Sequence, residues 1–166
     1  MFSRFFPDSY CDSVYEIDFR ALYAKGYRGI IFDIDNTLVP HGAAADHRAR
    51  QLFARLSAIG FGTVVLSNNK EPRVKSFAEA VEATGYIFKA NKPAKKGYQK
   101  AMELLSTKPY NTLFVGDQLF TDIWGAKRAG IRGILVEPVQ KWKEEPQIIL
   151  KRFAEAIVLW EYERAG

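Results

Sequence analysis

Cysteine and histidine are nearly missing from this chain of 166 residues, which holds one cysteine, Cys11, and two histidines, His41 and His47. A lone cysteine excludes an intrachain disulfide and a cysteine-rich zinc site, and it fits a reducing compartment or indifference to redox. The two histidines lack the spacing of a zinc-binding pair and are expected on the connection after the first core strand. No uncharged apolar run reaches the roughly 18 residues that a membrane-spanning helix requires. The N-terminal stretch Met1 to Pro7 is apolar but too short for a secretory leader, and Asp8, Asp12, Glu16 and Asp18 follow it, so a cytoplasmic location is expected. Internal repeats and low-complexity segments are lacking too, which removes repeat arrays from consideration.

What is present suits one domain with a sizeable core: 48% of residues are hydrophobic and 14% aromatic. The expected layout is a single domain over 1–166, with an aromatic N-terminal segment at 1–27, a core at 28–136 and a C-terminal helix at 146–165. Net charge is +5, and residues 89–108 account for all of it, with Lys89, Lys92, Lys95, Lys96, Lys100 and Lys108 against Glu103. Such a cluster is either the solvated face of one helix or an attractor of anions. No arginine stripe or stacking aromatics extend it, so nucleic acid is not expected as a partner.

Short apolar runs alternate with amphipathic stretches, the pattern of β-α units on a parallel sheet. Gly29–Phe32, Thr63–Leu66, Thr112–Val115 and Gly133–Val136 read as buried strands, and Tyr86–Phe88 as a shorter one. Helical spacing of apolar residues predicts helices over His47–Ile59, Arg73–Ala83, Lys95–Leu105 and Leu119–Ala129, the last ended by Gly130. A final helix from Pro146 carries Ile149, Phe153, Ile157 and Trp160 at helical spacing, a stripe expected to face the core.

The chemistry gathers at the carboxyl ends of these strands, where open α/β sheets bind ligands. Asp33-Ile34-Asp35-Asn36-Thr37-Leu38 follows the first strand directly. A carboxylate that attacks phosphorus forms an aspartyl-phosphate, water must then cleave it, and the leaving oxygen needs a proton. Two acids divide this work, with Asp33 as nucleophile beside a divalent cation and Asp35 as acid and base. Asn36 and Thr37 fit the tight turn that presents Asp35.

The second strand ends in Ser67-Asn68-Asn69, which can bind phosphate oxygens through hydroxyl and backbone N–H groups, although it is also ordinary loop chemistry. Lys92 follows the short strand, with Pro93 fixing the next turn, and its ammonium can offset charge on a transferring phosphoryl group. A third strand ends in Gly116-Asp117, where Gly116 permits close backbone approach. Asp33 and Asp117, with the backbone carbonyl of Asp35, would give magnesium the oxygen donors it prefers. Asp122 either holds a metal-bound water or favours a helix N-terminus electrostatically.

In order, Asp-x-Asp-x-Thr, Ser, Lys and Gly-Asp-x-x-x-x-Asp closely resemble the four motifs of the haloacid dehalogenase superfamily over residues 28–136. The resemblance implies a three-layer Rossmann-like α/β fold with strand order 5-4-1-2-3, a magnesium cofactor and an aspartyl-phosphate intermediate. It aligns Asp33 with the nucleophile, Asp35 with the acid/base, Ser67 and Lys92 with the phosphate binders, and Asp117 with the metal ligand. An acid at Asp35 is typical of the superfamily's phosphatases. Residues 39–62 and 68–91, where that superfamily inserts cap domains, each have room for about one helix, so no cap is expected. An uncapped site implies a macromolecular or surface-presented substrate.

Phe5-Phe6-Pro7, Glu16-Ile17-Asp18, Leu22 and Gly26-Tyr27-Arg28-Gly29, together with the Asp33 segment, look like the YqeG branch of subclass IIIA over nearly the full length. That branch is similar to phosphatidylglycerophosphate phosphatases, which implies removal of the terminal phosphate from that lipid at the inner face of a membrane. Phe2, Phe5 and Phe6 and the lysines near Lys92 suit an anionic lipid, although those aromatics could equally pack on the sheet. Two other readings stand beside this one: hydrolysis of a soluble or protein-bound phosphomonoester, and a non-catalytic, phosphate-responsive binding module. Oligomeric state is not legible in the sequence.

Overall fold

Every residue of Gly29–Phe32 is buried, as expected for a strand with a packed layer on each side, and this run forms β2 at the middle of the sheet. The computed structural model describes residues 2–140 and 146–166, the side chains of 146–150 excepted. The other strands are β1 (Ser9–Cys11), β3 (Gly62–Leu66), β4 (Gly85–Ile87), β5 (Thr112–Gly116) and β6 (Arg132–Val136). The sheet has six strands in the order β1-β6-β5-β2-β3-β4, and every pairing is parallel. Its last five strands have the order that the family resemblance implies, and β1 adds a sixth at the β6 edge. Ser9–Cys11 lacks an apolar run, so its strand is set by backbone pairing with Ile134–Val136.

Side chains alternate across β2, and the two faces acquire different cores. Ile30 and Phe32 pack with Phe19, Leu52, Phe53, Leu56, Val74 and Phe77, which belong to α1 (Phe19–Ala24), α2 (His47–Ile59) and α3 (Glu71–Val81). Ile31 turns to the opposite face, where Tyr98, Ala101, Met102 and Ala126 come from α4 (Lys95–Leu105) and α5 (Trp124–Arg128). The result is a three-layer α/β fold. Asp46 caps α2 by accepting a 2.8 Å hydrogen bond from the Ala49 N–H. Gly60, with φ at 122°, ends the same helix in a conformation that favours glycine. Each long connection after β2 and β3 holds one α-helix, α2 in 39–62 and α3 in 68–91.

Two expectations need correction. Leu119–Ala129 is not one helix: Leu119–Ile123 is a widened π-turn, and only Trp124–Arg128 is α-helical. Of the two readings left open for the aromatic N-terminus, Phe2, Phe5 and Phe6 follow the packing one, partly buried against Leu119, Ile123, Leu135 and Val158. Phe5 makes edge-on contacts with Phe120 and Trp124, and Phe6 with Tyr162. The C-terminal helix α6 (Pro146–Ala165) forms as expected, but its stripe faces outward, with Phe153 75%, Ile157 53% and Trp160 58% exposed. Helical spacing identifies a stripe without saying which face is covered, and here the opposite face, with Glu155 and Val158, is the buried one. Ile149 has a side chain outside the described residues.

Candidate active site

Strand register brings the first acids together. Phe32 lies beside Val115 in the β2–β5 pairing, and the Asp33 N–H donates to the Val115 carbonyl at 3.0 Å. Asp33 and Asp117 therefore leave neighbouring strands side by side. Between them, the Thr37 hydroxyl is 3.1 Å from Asp33 Oδ2 and 3.0 Å from Asp117 Oδ1, so its one proton can serve either carboxylate. Thr37 reaches this position through a tight turn at Asn36, whose φ is 61° and whose N–H donates to the Val39 carbonyl at 2.8 Å.

Lys92 is buried, and its ammonium donates to Asp33 Oδ1 at 2.7 Å and Asp122 Oδ1 at 2.6 Å. Burial works against its charge, but Asp122 and Asp33 more than compensate and raise its pKa, so it stays an ammonium ion. The other lysines of the 89–108 cluster are exposed, which separates Lys92 from an ordinary solvated face. Asn68 fixes the Lys92 loop, accepting a 2.7 Å hydrogen bond from the Lys92 N–H. Ser67 is also buried, with its hydroxyl accepting from the Asn69 N–H at 3.1 Å.

Asp122 reaches Lys92 because the π-turn carries its carboxylate inward. Its Oδ2 accepts from the backbone N–H groups of Asp117 and Gln118, both at 3.2 Å. A Cβ on Gly116 would lie 2.5 Å from that oxygen, so glycine is required for this approach. Underneath, the Tyr98 hydroxyl is within 2.8 Å of the Thr121 carbonyl and 3.1 Å of the Asp122 carbonyl. Gly125 makes room for that ring, since a Cβ there would overlap the Tyr98 hydroxyl. Tyr98 and Gly125 were unmarked as site-forming in the sequence, where Tyr98 reads only as an apolar-face residue of α4.

Asp35 points elsewhere. Its Oδ1 accepts from the Gly42 N–H at 2.7 Å and from Arg73 at 2.9 Å. Burial pushes this carboxyl up, but the Gly42 hydrogen bond and the Arg73 guanidinium outweigh it, and its pKa is lowered overall. Asp33, Asp35, Asn36, Ser67, Asn68 and Lys92 line one cleft of about 390 Å³, together with His41, Gln118, Thr121 and Lys151. Residues of α6 were not anticipated here. Beside Lys151, Arg152 binds both the side chain and the backbone carbonyl of Asp117. Glu155, 3.5 Å from Arg152, is pushed up to about 7 by burial despite that cation and the Phe120 N–H.

Asp33, Asp117 and Asp122 can each offer an oxygen within 4.8 Å of the others, and all three are buried. Burial, with Asp33 next, raises the pKa of both Asp117 and Asp122. A close set of hard oxygen donors whose mutual repulsion is only partly relieved by Lys92 and Arg152 suits a magnesium-like cation. The carboxylate of Asp35 is outside this set, and Asp122 belongs to it.

The sequence profile of the haloacid dehalogenase-like hydrolases matches residues 43–130, a span that includes Ser67, Lys92 and Asp117 and begins after Asp35. The chain belongs to that family. It is 36% identical over 141 residues to the Bacillus subtilis (strain 168) protein named "Probable phosphatase YqeG", covering 84% of this chain and 81% of that one. With these relatives, the chain is a phosphatase of the haloacid dehalogenase superfamily. It is also 32% identical over 160 residues to "Phosphatidylglycerophosphate phosphatase 1, chloroplastic/mitochondrial" of Arabidopsis thaliana, covering 90% of this chain but 46% of that longer protein. A crystal structure of an uncharacterized protein from Listeria monocytogenes serotype 4b shares the fold, with a TM-score of 0.56 and 18% identity over 71% of this chain and 85% of that one.

Proposed function

We propose that this protein hydrolyses a phosphomonoester through an aspartyl-phosphate at Asp33, and that its substrate is phosphatidylglycerophosphate. The observation that carries the chemistry is the division of the two acids: Asp33 sits deep against Lys92, while Asp35 stands apart on Gly42 and Arg73. In the first step the Asp33 carboxylate attacks phosphorus and the bond to the leaving oxygen breaks. Asp35 gives that oxygen its proton. In the second step Asp35 removes a proton from water, which attacks phosphorus and releases inorganic phosphate and the free Asp33 carboxylate.

In the resting cleft Asp35 is ionised; an incoming phosphate dianion raises its proton affinity by like-charge repulsion, so Asp35 takes up from solvent the proton that it then gives to the leaving oxygen. Lys92, the Ser67 hydroxyl and the Asn68 N–H are the groups that bind the phosphate oxygens. Asn68, Gly116, Asn36 and Thr37 hold these groups in place, and Asp122 fixes Lys92. Magnesium, held by Asp33, Asp117 and Asp122, would supply positive charge to a phosphate in this cleft.

The lipid assignment rests on similarity to the phosphatidylglycerophosphate phosphatases and on a cleft whose flanking connections hold one helix each, leaving room for a substrate presented at a surface. The test is magnesium-dependent phosphate release from phosphatidylglycerophosphate in mixed micelles, beside soluble sugar, nucleotide and glycerol phosphates, with Asp33→Asn as control. Lipid turnover that the variant lacks is expected. Turnover of soluble esters alone would discard the lipid and keep the phosphatase.

A further inference from the structure

Helix α6 is held in one rotational setting by its inner face. Arg152 is bound to Asp117, Glu155 is within reach of Arg152 and of the Phe120 N–H, and Val158 is buried in the aromatic cluster. With that face fixed, Phe153, Ile157 and Trp160 come out on the opposite side at steps of four and three residues, the spacing that aligns side chains along a helix. All three are more than half exposed. Arg164 continues the stripe by another four residues, and its guanidinium lies 4.5 Å from the centre of the Trp160 ring.

We propose that this face of α6 docks on an anionic lipid bilayer. The inference rests on the lipid-phosphatase reading and adds the element that would deliver it. Three side chains of this size expose on the order of 400 Å² of apolar surface, about half of the ~800 Å² per partner of a stable protein interface. A bilayer needs no complementary partner patch, so a narrow stripe suffices there.

The chemistry of the stripe also matches that surface. A tryptophan is at home at the boundary of head groups and acyl chains, and a cation beside it meets anionic head groups. The stripe spans about 10 Å along the axis, at 1.5 Å per residue, and it ends near the cleft, since Lys151 of the same helix lines it.

The experiment is flotation of the full chain with vesicles of phosphatidylcholine alone or with 30 mol% phosphatidylglycerol, comparing wild type with Phe153→Ser/Ile157→Ser/Trp160→Ser. These exposed positions leave the core intact, which thermal unfolding verifies. We expect wild type to partition at least about tenfold more onto anionic vesicles and the triple variant to lose that partitioning. Turnover of p-nitrophenyl phosphate should stay within about twofold of wild type. Equal binding by both proteins, or no binding by wild type, would overturn the inference. So would a wild-type dimer in sedimentation equilibrium that the triple variant abolishes, since the stripe would then be a contact between copies. Micellar turnover of phosphatidylglycerophosphate without α6-dependent flotation removes the docking and keeps the lipid phosphatase. Flotation lost in the triple variant, with no lipid turnover by wild type, does the reverse.

Discussion

The acid cluster at the ends of β2 and β5 and the aromatic flank of residues 2–6 with α6 are both packed on the same sheet, yet different forces hold them. In the cluster, each buried charge has a charged partner on another element, Lys92 on Asp33 and Asp122 and Arg152 on Asp117, with the Thr37 hydroxyl between Asp33 and Asp117. In the flank, edge-on rings and a buried valine dominate, and a raised-pKa glutamate faces the arginine. Paired charge specifies geometry to a fraction of an ångström. Apolar packing tolerates substitution and carries mainly stability. Changes in the cluster should then alter turnover most, and changes in the flank should alter stability.

The largest expected effect is on turnover. Asp33→Asn should lower the rate by about 10³-fold or more while thermal unfolding still shows a folded protein. A wild-type rate would place the nucleophile elsewhere. Gly125→Ala comes next, because its methyl overlaps the Tyr98 hydroxyl beneath the π-turn. It should cost about 2–3 kcal/mol in urea unfolding and reduce turnover as well, whereas an equal loss of stability with unchanged turnover would uncouple the turn from the site.

The two regions should also answer pH in opposite directions. The Asp35 carboxyl is lowered, so its contribution is present above its ordinary value near pH 4 and is lost as pH falls below it. Arg73→Met should shift the acid limb of the pH–rate profile to higher pH. Glu155 is raised to about 7, so the folded state holds its proton more tightly than the unfolded chain does. Its contribution is full below pH 4.5 and is lost as pH rises to about 7, on the order of 1–3 kcal/mol. Glu155→Gln should flatten that part of the stability profile, and an unchanged slope would assign it to other groups. The smallest effect belongs to Phe5→Ala, expected to cost about 1–2 kcal/mol of stability and leave turnover of a soluble ester within about twofold.

This contrast also explains what could be read from the sequence. The acids and Lys92 are placed by strand ends, and a buried strand announces itself as an apolar run such as Gly29–Phe32 or Thr112–Gly116. α2 and α4 were located to the residue because apolar periodicity and bounding residues agree there. The flank was harder. β1 has no apolar run, and the stripe of α6 gives the period of a helix but not the side that is covered. Arg152 and Lys151 carry no local signal of a site, because their approach to Asp117 and the cleft depends on how α6 packs. The widened turn at Leu119–Ile123 was hidden for a related reason: its sequence is compatible with an ordinary helix, and Tyr98 from α4 is what occupies the space below it.

That turn makes chain length part of the catalytic apparatus. Five residues, Leu119–Ile123, accomplish what a regular turn would do with fewer. Deleting one of them, even Phe120, which packs on Phe5 rather than on the acids, would rotate everything that follows by about 100°. Asp122 would leave Lys92 without any change in the identity of either residue. Among homologous sequences, a gap here would therefore count as heavily as a lost aspartate, and an alignment that conserves the acids but not their spacing would describe a different protein.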